Sequence, residues 1–167
     1  MNIQPALSRS FIFRVSLLFT VIAAVVGFVL AQDPAKQQQE DPLPPGNKQL
    51  IQSEELAQAL KGVRKPVVLY VGPKSIYAQA HIPGAENIGP VARPEGMEKL
   101  RARAASLPKD SPVVIYCGCC PWDHCPNIRP AYAELKKAGF TSVRVLYLEN
   151  SFGANWKDKG FPVATGE

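Results

Sequence analysis

Residues 113–140 read VVIYCGCCPWDHCPNIRPAYAELKKAGF, and this stretch decides the fold. VVIYC is a continuous apolar, β-branched run opened by Pro112, the pattern of a strand covered on both faces. From Asn127 to Ala138 the residues Ile128, Ala131, Tyr132 and Leu135 recur at helical spacing, and Gly139 stops the helix. The loop GCCPWDHCP lies between them. A buried strand handed to an amphipathic helix is one half of a parallel βαβ unit.

Working outward, two further runs read as buried strands: VVLYV at 67–71, introduced by Pro66, and VRVLYL at 143–148. Ser53 caps a short helix over 53–61 that carries Leu56 and Leu60. Glu95 to Ala105 sets Met97, Leu100 and Ala104 at helical spacing, predicting another helix. The order strand, helix, strand, helix, strand predicts an α/β fold with right-handed crossovers. No internal repeat is present.

The chain has 167 residues, room for one ordinary domain. Hydrophobic residues make up 46% and charged residues 20%, the balance of a globular protein. The formal charge of +5 includes Arg9 and Arg14, which lie in a segment read below as a leader, and no dense Lys/Arg block occurs. Nucleic acid is therefore not an expected partner. Sixteen prolines and twelve glycines exclude a long helical or coiled-coil protein.

Residues 15–31, VSLLFTVIAAVVGFVLA, are uncharged and follow Arg9 and Arg14, so residues 1–31 read as a signal peptide or membrane anchor. Val29 and Ala31 are small residues at the −3 and −1 positions of a cleavage site before Gln32. The expectation is export to a periplasmic or other extracytoplasmic place, with membrane contact only through 15–31 if that segment stays. Residues 32–48 are a Pro/Gln-rich linker with no apolar periodicity, and 49–167 form the folded domain.

All four cysteines fall between Cys117 and Cys125, which excludes a framework of disulfides spread over the fold and marks one local site. In open α/β sheets chemistry gathers in loops at the carboxyl ends of strands. Cys117 ends the central strand, and Asn127 stands where the next helix is capped. A thiol there faces backbone N–H groups and the positive end of a helix dipole, which favour a thiolate and an anionic substrate. Gly118, His124 and Arg129 complete the candidate anion-binding loop. Cys119, Cys120 and Cys125 have two functional readings, as resolving or disulfide partners of Cys117 or as metal ligands. Adjacent Cys119 and Cys120 would make a strained bond, so Cys125 is the better disulfide partner of either. The pattern C-x-C-C-x4-C lacks the separated C-x2-C pairs common in zinc sites, and copper(I) suits such a thiolate set better. His81 reads as a turn residue and Trp122 as a packing anchor or an apolar lid over the loop.

AHIPGAENI (80–88) resembles a signature of the rhodanese-like domain family. The strand-end Cys117, LKKAGF (135–140), VRVLYL (143–148) and NWKDKGFPV (155–163) are similar to the family's further features in kind and order. The resemblance covers residues 50–163. It implies a parallel central sheet flanked by helices on both faces, and a single-domain sulfurtransferase needing no cofactor or metal. It further implies that Cys117 carries sulfane sulfur as a persulfide, from a small-molecule thiosulfate-like donor to a thiol or cyanide acceptor. A monomer is expected. The alternative is a non-catalytic thiol redox or soft-metal module. The sequence departs from the family's usual pattern in three places. The cysteine loop is longer, Tyr70-Val71-Gly72 replaces Asp-Val-Arg, and Asn150-Ser151 replaces Gly-Gly.

Overall fold

The computed structural model describes residues 48–166, so the leader, the anchor and nearly all of the linker lie outside the described residues. The elements, in chain order, are β1 (Leu50–Ile51), α1 (Ser53–Ala59), β2 (Val67–Tyr70), α2 (Lys74–Gln79), β3 (Glu86–Asn87), α3 (Pro94–Ser106), β4 (Val113–Tyr116), α4 (Ile128–Lys137) and β5 (Val143–Leu146). A 3-10 turn at Trp122–His124 and a π-helical turn at Gly153–Lys157 complete them. The five strands form one parallel sheet in the order β1-β5-β4-β2-β3. The three expected strands and the three expected helices are all present within a few residues of their expected bounds. Absent from the sequence reading were α2, β1 and β3, of six, two and two residues, too short to show a period.

Side chains of a strand alternate between faces, and this sheet sorts them into two cores. Leu69, Val71, Val113, Ile115, Cys117, Val143 and Val145 join Leu100 and Ala104 of α3 and Ile128, Ala131, Tyr132 and Leu135 of α4. On the other face Val68, Tyr70, Val114, Tyr116 and Leu146 join Leu56 of α1, Tyr77 of α2, and Phe152 and Trp156. Ile115 and Leu135 are fully buried, each stabilising the fold by about 1.5–3 kcal/mol. Trp156 is 0% exposed and its indole N–H donates to the Pro162 carbonyl at 2.8 Å, which fixes the carboxyl-terminal segment.

Among the described residues no helix is long and apolar enough to cross a membrane. The sheet reverses direction of growth between β4 and β2, so the end of β4 opens onto a topological switch point. Cys117 directly follows β4, and its odd parity turns its sulfur toward α3 and α4.

Candidate functional site

The loop from Cys117 to Asn127 is built to return on itself. Gly118 has φ +86°, a conformation that side-chain-bearing residues rarely adopt, and its carbonyl accepts the Phe152 N–H at 3.0 Å. The Trp122 N–H donates to the Leu148 carbonyl at 2.9 Å, pinning the middle of the loop beyond β5. The 3-10 turn then folds back, and Cys125 reaches the amino end of α4.

This path collects all four sulfurs within 4.8 Å of one another. Cys117 and Cys119 are 3.3 Å apart, as are Cys119 and Cys120. All four are free thiols. Cys117 and Cys125 are 2% and 3% exposed, Cys120 is half-buried, and Cys119 is open to solvent.

The charge of the cluster settles on Cys125. The neighbouring Cys117, with the backbone N–H groups of Asn127 and Ile128, lowers the Cys125 thiol to about 6 against the opposing effect of burial. Cys117 is pushed the other way, first by the neighbouring Cys125 and then by burial. Burial, with hydrogen bonding to Cys119, raises Cys120 to about 12. Of the two buried thiols, the one at the helix end is thus favoured to ionise before the one at the strand end. The lengthened loop is what brings this second sulfur to the helix.

Asn127 is the residue that sequence reasoning placed correctly and understood incompletely. It precedes α4, but its side chain makes no capping bond. It is 5% exposed, and its Oδ1 accepts the Ala92 N–H at 2.9 Å. That bond turns Nδ2 toward both buried sulfurs, 3.6 Å from Cys117 and 3.9 Å from Cys125. An Asn two residues after a cysteine at a helix start was the available signal.

The other candidates are placed as follows. Gly118 shapes the loop through its backbone. Arg129 is half-buried in the first turn of α4. The His124 side chain is 78% exposed and pairs with the Asp123 carboxylate at 2.9 Å, so its contact is with its neighbour rather than a sulfur. Trp122 packs against the core on the α3/α4 face and lies 6.4 Å from the Tyr147 ring, the anchor reading. His81 is buried, stacks on Tyr77 at 3.8 Å and donates Nδ1–H to the Tyr77 carbonyl at 2.8 Å; it was expected in the turn and instead forms an antiparallel bridge with Ala164 just before it.

The unusual Gly72 has a local reason. A Cβ there would lie 2.8 Å from the Cys117 carbonyl oxygen and 2.6 Å from the Tyr70 hydroxyl, so Tyr70 occupies the space. Asn150 and Ser151 both donate backbone N–H groups to Asn155 Oδ1, at 2.8 and 3.1 Å.

Cys119 opens onto a depression of about 510 Å³, lined also by Asn127, Lys74, Arg93 and the prolines Pro73, Pro90 and Pro126. Its exposed walls are almost wholly apolar. A second groove of about 520 Å³, between Leu60, Val67 and Trp156, touches none of the sulfurs.

A family model for the rhodanese-like domain matches residues 52–157. Among solved structures, the Alr3790 protein from Anabaena sp. is 23% identical with a TM-score of 0.55, over 70% of this chain and 92% of that one. The solution structure of the rhodanese-like domain of that Anabaena protein is 26% identical with a TM-score of 0.52, over 71% and 80%. The BH2092 protein from Bacillus halodurans is 22% identical with a TM-score of 0.52, over 69% and 75%. No curated protein matches the chain.

Proposed function

The chain belongs to the rhodanese-like domain family, and from that premise we propose that it is a sulfurtransferase whose cysteine cluster carries sulfane sulfur as a persulfide. The observation that carries this reading is the convergence of a strand-end sulfur, a thiolate-favouring helix terminus and a fixed amide donor within one loop.

Of the buried pair Cys125 is the more acidic, so the pair's negative charge rests there. Transfer of the Cys117 proton to Cys125 places the thiolate on Cys117. The thiolate attacks the outer sulfur of a thiosulfate-like donor. A new S–S bond forms, the donor's S–S bond breaks, and sulfite leaves with the bonding pair. Cys117 then bears Cys–S–S⁻. An acceptor thiolate or cyanide attacks the outer sulfur, takes it, and restores the Cys117 thiolate. Asn127 Nδ2 holds the charge on either sulfur. Cys119, exposed and 3.3 Å from Cys117, stands between the buried sulfur and solvent, so donor entry needs its side chain to swing aside.

The test is thiocyanate formation from thiosulfate and cyanide. Cys117→Ser abolishes it with the fold retained, since the side chains are close in size, while Cys119→Ser keeps it. Full activity in Cys117→Ser together with loss in Cys125→Ser would place the persulfide on Cys125 and refute the assignment.

A further inference from the structure

We propose that the four cysteines also form a binding site for one thiophilic d10 cation, zinc(II) or copper(I), with Asn127 as the residue that orients two of the ligands. This goes beyond sulfur transfer and needs none of its steps.

Spacing alone argued against zinc, because C-x-C-C-x4-C has no separated pair, and left copper(I) as the better match. The fold removes that objection. The left-handed Gly118 and the 3-10 turn fold the loop so that Cys125 comes back beside Cys117. A tetrahedral ion with bonds of about 2.3 Å to sulfur sets its ligands about 3.8 Å apart. The four sulfurs here start at 3.3 Å and reach no further than 4.8 Å, which brackets that value. Small rotations of Cys119 and Cys120, the two less buried members, bring the set onto one centre.

The donor set is all sulfur, the kind that selects copper(I) and zinc over magnesium or calcium. Two ligands are buried and two lie toward solvent, so the ion has an inner seat and an entry path. Metal thiolates are held by N–H···S hydrogen bonds around them. Asn127 already supplies one donor aimed at two of the sulfurs, and the Ala92 N–H fixes its orientation. Each cysteine that coordinates releases its thiol proton to solvent, and no change of oxidation state is involved.

The experiment uses the reduced, metal-free full chain without any sulfur donor. Zinc(II) is titrated against a chromophoric chelator, copper(I) against bicinchoninate under anaerobic conditions, and cobalt(II) serves as a spectroscopic probe. The proposal expects one ion per chain in at least one of the first two arms. It also expects sulfur-to-cobalt charge-transfer bands and protection of all four cysteines from alkylation in the ion-loaded wild type. Asn127→Ala weakens binding about 10–100-fold. Cys117→Ser and the solvent-side Cys119→Ser each weaken it too, the second without disturbing the core. Retention no tighter than by a variant with all four cysteines changed to serine overturns the proposal. So does full-affinity binding in Cys117→Ser, which would leave only the outer thiols collecting metal. Sulfur transfer is assayed separately in metal-free protein, so either reading can fail alone.

Discussion

Replacing Asn127 by alanine tests whether the amide holds the cluster's negative charge. The side chain gives its Nδ2 to Cys117 and Cys125 and takes the Ala92 N–H on its Oδ1. Hydrogen bonds to charged groups are worth about 1.5–3 kcal/mol, and the long contacts to sulfur place this one at the lower end. A loss of about 1.4 kcal/mol is one pKa unit, which moves the Cys125 midpoint from about 6 to about 7. At pH 7 the thiolate fraction then falls from about nine-tenths to about one half. The sign follows from the form that Nδ2 stabilises, which is the deprotonated one. The ultraviolet absorbance of the thiolate, titrated in reduced, metal-free protein with Cys125→Ser as baseline, reads the midpoint directly. Asn127→Asp separates charge from structure. It keeps an acceptor for Ala92 but sets a second carboxylate oxygen against the sulfurs, so the midpoint rises further than in Asn127→Ala. An unchanged midpoint in both variants, or a transition near pH 6 that survives in Cys125→Ser, would refute the reasoning.

Gly118→Ala forces a side chain into a left-handed conformation and sets its Cβ 3.1 Å from Phe152 Cβ. It should cost about 1–2 kcal/mol in denaturant unfolding and lower sulfur transfer more than stability, because the loop is misaligned. Tyr116→Phe removes the hydroxyl that accepts the Ile82 N–H at 3.0 Å, stranding a buried donor at a cost of about 1–3 kcal/mol, with transfer per folded molecule unchanged. Gly96→Ala would put a Cβ 2.2 Å from the Pro90 carbonyl oxygen, a backbone atom that cannot rotate away. Loss of soluble folded protein is the expected result, and a wild-type melting temperature would contradict it.

Much of the fold was legible because its signals are local and strong. VVLYV, VVIYC and VRVLYL are apolar on both faces because each strand separates two cores, and that pattern needs no knowledge of the partners. The strand order was not legible, since β1 and β3 are two-residue edge pieces held by register with β5 and β2 rather than by their own sequence. At the site, the clustering of the cysteines was visible, but the assignment of charge within it was not. That depends on how far the loop between Cys117 and Asn127 doubles back, which is set by the Trp122–Leu148 and Gly118–Phe152 backbone bonds, both long-range. Asn127 looked like a cap because its neighbours are helical. Its real partners are Ala92, from before α3, and two sulfurs, none of which adjacent sequence reveals.

The most direct measurement is the mass of the reduced protein after brief exposure to thiosulfate, followed by mapping of the cysteine peptides. A gain of one sulfur atom, about 32 Da, located on Cys117 and removed by cyanide, is the predicted result. An unchanged mass in folded, fully reduced, metal-free protein would contradict it.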